Sequence, residues 1–204
     1  MIIGITGGTG SGKTTLLSAA QELGILVLDC DAIYHTLLSR DEAMLTAIEA
    51  RFPGTVEQGR LQRKKLGALV FSDAAALEDL NKITHTAITR EVKARLRERT
   101  CPHAAIDAIA LFESGMDGMC DVTVAVTAPR EIRVQRLMAR ENISEAYARQ
   151  RIAAQPEDGF FVKKCDYVLE NDGDIHDFQG KCLAFFAQLG IMDENPERRN
   201  TNDQ

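Results

Sequence analysis

Eight residues near the start constrain this chain more than any others: Gly7-Gly8-Thr9-Gly10-Ser11-Gly12-Lys13-Thr14. They follow the β-branched run Met1-Ile2-Ile3-Gly4-Ile5-Thr6, which reads as a buried strand, and they open a segment with helical spacing. The pattern is G-x-x-x-x-G-K-[ST] in a strand–turn–helix setting, the signature of a phosphate-binding loop. Glycines let the backbone turn tightly enough for successive N–H groups to face one anion. The following helix adds its positive end. Gly8, Thr9, Gly10, Ser11, Gly12 and Thr15 are therefore candidate nucleotide contacts. Lys13 would bring a mobile charge to the β- and γ-phosphates, and Thr14 a hydroxyl to Mg²⁺. A glycine-rich hairpin that merely held a lysine would not need this flanking pattern.

The rest of the chain alternates in the same way. Lys13 to Leu23 has an apolar face of Leu16, Leu17, Ala20 and Leu23, with Gly24 placed to stop the helix. Ile25 to Leu28 is a second buried strand leading into Asp29-Cys30-Asp31, which completes a βαβ unit with a right-handed crossover. No strand is expected from Ala32 to Arg99. That stretch reads as helical, with breaks near Pro53-Gly54 and Gly59 and one long face of Ile83, Ile88, Val92 and Leu96. Strands are expected at Ala104 to Leu111, Val122 to Val126 and Tyr167 to Leu169. Helices are expected at Arg130 to Glu141, Ser144 to Ala154 with Ser144 as N-cap, and Ile175 to Leu189. Five strands spaced by helices give an α/β fold with a parallel five-stranded sheet and helical insertions. One domain is expected over residues 1–192, followed by a polar, disordered tail over 193–204.

Composition narrows the class. At roughly 150 residues per domain, 204 residues make one domain with an inserted lobe. The net charge is −6, from 24 basic and 30 acidic residues, which argues against a nucleic-acid binder but not against a site for small anions. No apolar run approaches the 20 or so residues of a membrane span, and no basic, apolar leader opens the chain. Five cysteines without a C-x-x-C pair point to thiols in a reducing cytoplasm. Oligomeric state stays open, a monomer being compatible.

Phosphate-binding loops serve kinases, GTPases, ATPases and motors alike. The guanine-reading N-K-x-D is absent, since Asn81-Lys82 continues as Ile83-Thr84. A small-molecule kinase suits the length best. Asp31, at a strand end in a parallel sheet, can deprotonate an attacking hydroxyl or can cap the helix beginning near Ala32. Asp29 reads equally as a support to it or as a turn former. Asp107, ending an apolar strand run, can order Mg²⁺ or simply bond to neighbouring backbone. Arg133, Arg136 and Arg140 share one helix face, where three like charges repel unless an anion neutralises them. For Arg133 a solvated basic face is the simpler reading. His85 falls on an apolar face, the usual setting of a satisfied core histidine.

Several separated motifs resemble the dephospho-coenzyme A kinase family, from about Ile3 to Gly173. They are GITGGTGSGKTT, LDCDAIYHTLL, GRLQRKKLGALVFSD, ITHTAI, DAIALFESGM, CDVTVAV, RLMAREN and ENDGD. The resemblance implies a P-loop kinase core with a helical substrate-binding lobe near 32–100 and a helical, mobile lid near 140–165. It implies ATP with Mg²⁺, dephospho-coenzyme A as acceptor, and phosphorylation of the ribose 3′-hydroxyl. Asp31 matches the family's base, Arg140 the arginine that begins the lid and contacts phosphate, and Asn171 the asparagine near the adenine. Arg136 joins the nucleotide contacts, His85 and Glu113 the acceptor contacts, and Lys163 and Lys164 approach phosphate from the far end of the lid. Thr86 and Ile109 stand where the family has proline, and Pro156 to Phe161 replaces a basic segment. Another nucleoside or nucleotide kinase, or a nucleotide-binding protein without turnover, remains an alternative.

Overall fold

Strand β1, Ile2–Thr6, is buried from its second residue onward and occupies the middle of the main sheet. A computed structural model describes residues 1–191, so the expected polar tail lies outside the described residues. Helix α1 (Lys13–Glu22) follows the glycine loop and ends at Leu23, with Gly24 at φ 74°. After it come β2 (Leu26–Asp29), β5 (Ala104–Asp107), β6 (Val122–Thr127) and β7 (Tyr167–Glu170). The sheet order is β2-β5-β1-β6-β7. β1 pairs in parallel with β5 and with β6, and β6 with β7. From β1 the chain travels to one edge of the sheet, and from β6 to the other. Such a reversal opens a crevice beyond the strands' carboxyl ends, and the glycine loop starts at that end of β1.

The chain divides into two units. The first comprises Met1–Val27, Cys101–Leu111 and the chain from Met119 onward. Its core joins Ile3, Ile5, Val124 and Val126 of the sheet to Leu16 and Ala20 of α1 and to Phe178, Cys182, Phe185 and Phe186. Those last four recur at helical spacing on one face of α9, Ile175–Gln188, which Asp174 caps through the His176 N–H. Helices α6 (Arg130–Glu141), α7 (Glu145–Ala153) and α8 (Asp158–Lys164) complete this unit. Asn142 ends α6 in the left-handed region, and Ser144 caps α7 as its sequence position indicates. α8 begins within Pro156 to Phe161, a stretch given no element by its sequence, and runs on to Lys164.

The second unit comprises Leu28–Thr100 and Phe112–Gly118 and is mainly helical. It holds α2 (Cys30–Arg40), α3 (Glu42–Arg51), α4 (Arg63–Val70) and the 25-residue α5 (Ala74–Glu98). Aspartates 29, 41 and 73 cap α2, α3 and α5. Two expectations need correction. A hairpin, β3 (Val56–Glu57) with β4 (Arg60–Leu61), interrupts the helices where no strand was expected. Gln58 and Gly59 between them both have positive φ, the geometry of a two-residue hairpin turn, and two-residue strands leave no periodicity to read. The strand expected to reach Leu111 stops at Asp107, because the chain turns from Ala108 onward and buries Leu111 in the turn.

Candidate phosphate-binding site

The loop from Gly7 to Gly12 has its alternate carbonyls tied from outside by side chains. Lys13 Nζ donates to Gly7 O at 2.8 Å, Arg133 Nε to Thr9 O at 2.9 Å, and Asn171 Nδ2 to Ser11 O at 2.9 Å. Three of the loop's carbonyls are thus engaged by side chains, and a glycine-rich turn at a helix start is the setting in which the remaining N–H groups can receive an anion. Gly12 has φ 106°, and a Cβ there would lie 2.0 Å from Asn171 Nδ2, so only glycine fits. Ser11 is buried, and its Oγ has no hydrogen-bond partner. Thr14, in the first turn of α1, is exposed, and Thr15 beside it is half-buried.

Arg133, Arg136 and Arg140 of α6 do not act as one basic face. Arg133, read from sequence as solvated, is only 3% exposed. Besides Thr9 O, it donates through Nη1 to Asp158 Oδ1 at 2.8 Å. The residue lies in the first turn of α6, where a long side chain folds back over the loop, and an unbranched cation in an acidic protein carries no sequence mark of that burial. Arg136 is half-buried and donates through Nη2 to Asn171 Oδ1 at 3.0 Å. Burial holds the pKa of both guanidinium groups below the ordinary arginine value. Arg140 is exposed at the end of α6 and donates to Glu141 at 2.6 Å. Asn171, 3% exposed, therefore spends its amide on the loop and on Arg136.

Asp107 is the last residue of β5, half-buried, and registers with Ile5 of β1. Lys163 is exposed, and the Lys164 ammonium sits 4.6 Å over the Phe160 ring. Among the described residues no group of three or more His, Cys, Asp or Glu could hold a metal ion. Mg²⁺ carried on nucleotide phosphates needs only one or two protein oxygens, so Thr14 and Asp107 are a chemically fitting pair.

In the second unit, Asp29 rather than Asp31 caps α2, its Oδ1 accepting from Ala32 N at 2.9 Å. The helix starts at Cys30, two residues before the expected start, and Asp31 lies exposed in its first turn. The cap is thus taken, and Asp31 is left to other chemistry. His85 and Glu113 come together at a groove of about 510 Å³, also lined by Lys82, Arg90, Lys93 and Arg97. His85 is half-buried there. Burial pulls its pKa down, against the opposing charge of Glu113. Thr86, in the family's proline position, bonds to Lys82 O at 2.7 Å, and α5 runs through it unbroken. Sequence reasoning missed Gln155 and Asp158. The one available signal was a carboxylate at 158 facing an otherwise uncompensated Arg133.

The dephospho-CoA kinase family model matches residues 1–177. The chain belongs to the dephospho-CoA kinase family. A dephospho-CoA kinase of Moorella thermoacetica is 37% identical over 194 residues, covering 92% of each chain. A crystal structure from Thermus thermophilus superposes with a TM-score of 0.78 at 35% identity, over 93% of this chain and 97% of the other. A dephospho-CoA kinase structure from Campylobacter jejuni gives 0.65 at 24% identity, over 94% and 98%, a likeness that speaks for the fold. The family is one of transferases, and it implies ATP as the phosphate donor.

Proposed function

We propose that the protein transfers the γ-phosphate of ATP to the ribose 3′-hydroxyl of dephospho-coenzyme A, giving coenzyme A and ADP. The observation that carries this reading is the family match over residues 1–177, with the phosphate loop seated between β1 and α1. The segment Gly8 to Thr15 would line the phosphates, receiving them on hydroxyls and on backbone N–H groups other than those of Thr9, Ser11 and Thr15, which donate to Gln155 Oε1, Gly8 O and Gly12 O. Lys13 would turn from Gly7 O to the β- and γ-oxygens, and Arg140 would exchange Glu141 for the transferring group. Arg136 and Asn171 support the loop at Ser11 and are proposed to border the nucleotide. Thr14 and Asp107 would hold Mg²⁺, which would supply positive charge to offset that developing on the transferring phosphate.

Asp31 is proposed to orient the 3′-hydroxyl and accept its proton. His85 and Glu113 are proposed as acceptor contacts. All five cysteines are thiols, which supports a reducing, cytoplasmic setting. No described helix is long and apolar enough to cross a membrane. Purified protein, ATP and Mg²⁺ incubated with dephospho-coenzyme A, adenosine, nucleoside monophosphates and shikimate test the reading. Coenzyme A should form far faster than any other product. Preference for another acceptor would overturn the assignment.

A further inference from the structure

The outer side of the phosphate loop is gripped at one residue from two directions. Thr9 N–H donates to Gln155 Oε1 at 2.7 Å, and Thr9 O accepts from Arg133 Nε at 2.9 Å. Arg133 is in turn oriented by Asp158, whose Oδ1 accepts from Nη1 at 2.8 Å. Its remaining nitrogen, Nη2, is buried without a partner against Gly8, where a Cβ would sit only 2.1 Å away. Gly10 packs on the same residue, since a Cβ there would lie 2.9 Å from Arg133 O. Both peptide groups flanking Thr9 are therefore fixed by side chains that the phosphate site itself does not need.

We propose that Arg133, Gln155 and Asp158 form a positioning clamp that holds the Gly8–Gly10 half of the phosphate loop in its binding shape. The segment joining α7 to α8, with the first residue of α8, is then part of the donor site's framework. This inference rests on the reading of the loop as an ATP site.

The energetics favour positioning over stabilisation. The Arg133 side chain is 4% exposed and that of Asp158 33%, so the ion pair is taken largely out of water. Burial shifts both groups towards their neutral forms, Arg133 downward and Asp158 upward, and their mutual attraction only partly opposes it. A pair whose desolvation outweighs its attraction adds little to stability. What it does supply is a guanidinium locked in one orientation, with Nε on the Thr9 carbonyl. Gln155 then fixes the preceding peptide by a bond of opposite sense. Two such ties define the plane of each flanking peptide, and so the direction in which the neighbouring N–H groups point.

The test compares wild type with Gln155→Leu, Asp158→Ala and Asp158→Asn. Leucine removes the acceptor while keeping most of the volume, and asparagine keeps an acceptor for Arg133. Affinity for ATP with Mg²⁺ is measured calorimetrically without acceptor, and KM for each substrate, kcat and melting temperature are measured alongside. Gln155→Leu should weaken ATP binding about 5- to 10-fold, the scale of one well-placed hydrogen bond. Asp158→Ala should weaken it by roughly 10-fold or more, because Arg133 loses its orientation and a buried charge loses its partner. Asp158→Asn should recover most of that loss. KM for dephospho-coenzyme A should stay within about twofold throughout, because the clamp touches only the loop.

ATP affinity unchanged in both Gln155→Leu and Asp158→Ala would overturn the clamp, as would an asparagine variant as impaired as the alanine one. A fall in melting temperature with unchanged ATP affinity would also overturn it, by showing a structural role alone. Should Asp158→Ala not fold, Gln155→Leu against wild type decides. If wild type fails to phosphorylate dephospho-coenzyme A, the acceptor assignment falls, while the calorimetric comparison still judges the clamp.

Discussion

The phosphate loop and the stretch around Asp31 are held by opposite means. Apart from Lys13 on Gly7 O, the loop's side-chain partners come from far along the chain: Arg133 is 124 residues from Thr9, Gln155 is 146, and Asn171 is 160 residues from Ser11. Asp31 depends on its immediate neighbours, with the Asp29 carboxylate capping α2 through an N–H three residues on. The loop's local ties, Lys13 to Gly7 O and the Ser11 N–H to Gly8 O, leave the Thr9 and Ser11 carbonyls to be held from elsewhere in the chain. A carboxylate that must meet a hydroxyl needs only a helix end that stays formed. Substitutions at the loop's distant partners should therefore act through ATP affinity, whereas those at groups aimed at the reacting atoms, Lys13 and Asp31, should act through rate.

The largest effect should come from Lys13→Ala. Its ammonium rests on Gly7 O, and the half-buried side chain leaves no core cavity when truncated. We expect turnover to fall by roughly 10³-fold or more while the fold and melting temperature persist, since a charge aimed at the transferring phosphate is lost. A variant turning over at a near-normal rate would remove the loop from the chemistry.

Asp31→Asn comes next and breaks the comparison most directly. Asparagine caps nearly as well as aspartate, and the cap belongs to Asp29 in any case, so stability should not move. Rate should drop about 100-fold or more, close to 3 kcal/mol in the barrier, with ATP affinity unchanged. Asp29→Ala gives the complement, a stability loss of about 1 kcal/mol from the missing cap. Wild-type kinetics in Asp31→Asn would place the base elsewhere.

What could be read from sequence follows the same division. The loop, the strand before it and the helix after it are local, and each residue type there has a local reason. The caps at Ser144 and the stop at Gly24 were equally legible, because one residue and its next few neighbours decide them. The burial of Arg133 was not, since it depends on Asp158 and Thr9 meeting in three dimensions. Nor did sequence separate Asp29 from Asp31 as the cap. The two differ by a two-residue shift in where α2 begins, and helix starts are uncertain by about that much. The hairpin at Val56 to Leu61 was hidden by strands of two residues each.

Asn171→Ala should act with intermediate strength on both stability and binding. It removes the shorter of the two bonds to Ser11 O and the Oδ1 acceptor of Arg136, leaving only the longer Arg136 Nη1 contacts to Ser11 O at 3.4 Å and Asn171 O at 3.5 Å, at a cost of about 1 kcal/mol. Because the loop loses a tie, KM for ATP should rise several-fold while KM for the acceptor holds. An unchanged KM for ATP would show that the loop keeps its shape without Asn171.

The smallest expected effect lies in the first unit, away from the loop, and should touch stability alone. The Asp166 Oδ2 accepts from both the Thr123 N–H and the Thr123 Oγ1, each at 2.8 Å, tying the start of β7 to β6. Those bonds, the hydroxyl first and the backbone second, hold its carboxyl below the ordinary aspartate value. A carboxyl with a depressed folded-state pKa contributes stability that is fully present above its unfolded value and is lost as pH falls through the folded one. Asp166 is exposed, so solvent screens most of this, and the melting-temperature difference from Asp166→Asn should be small at neutral pH. It should shrink further as pH is lowered from about 5 to about 3, because wild type then loses the charge that the variant never had. Parallel melting curves across that range would mean that the Thr123 bonds do not distinguish the ionised carboxylate. ATP affinity should stay at the wild-type value throughout, since Asp166 makes no bond to the loop.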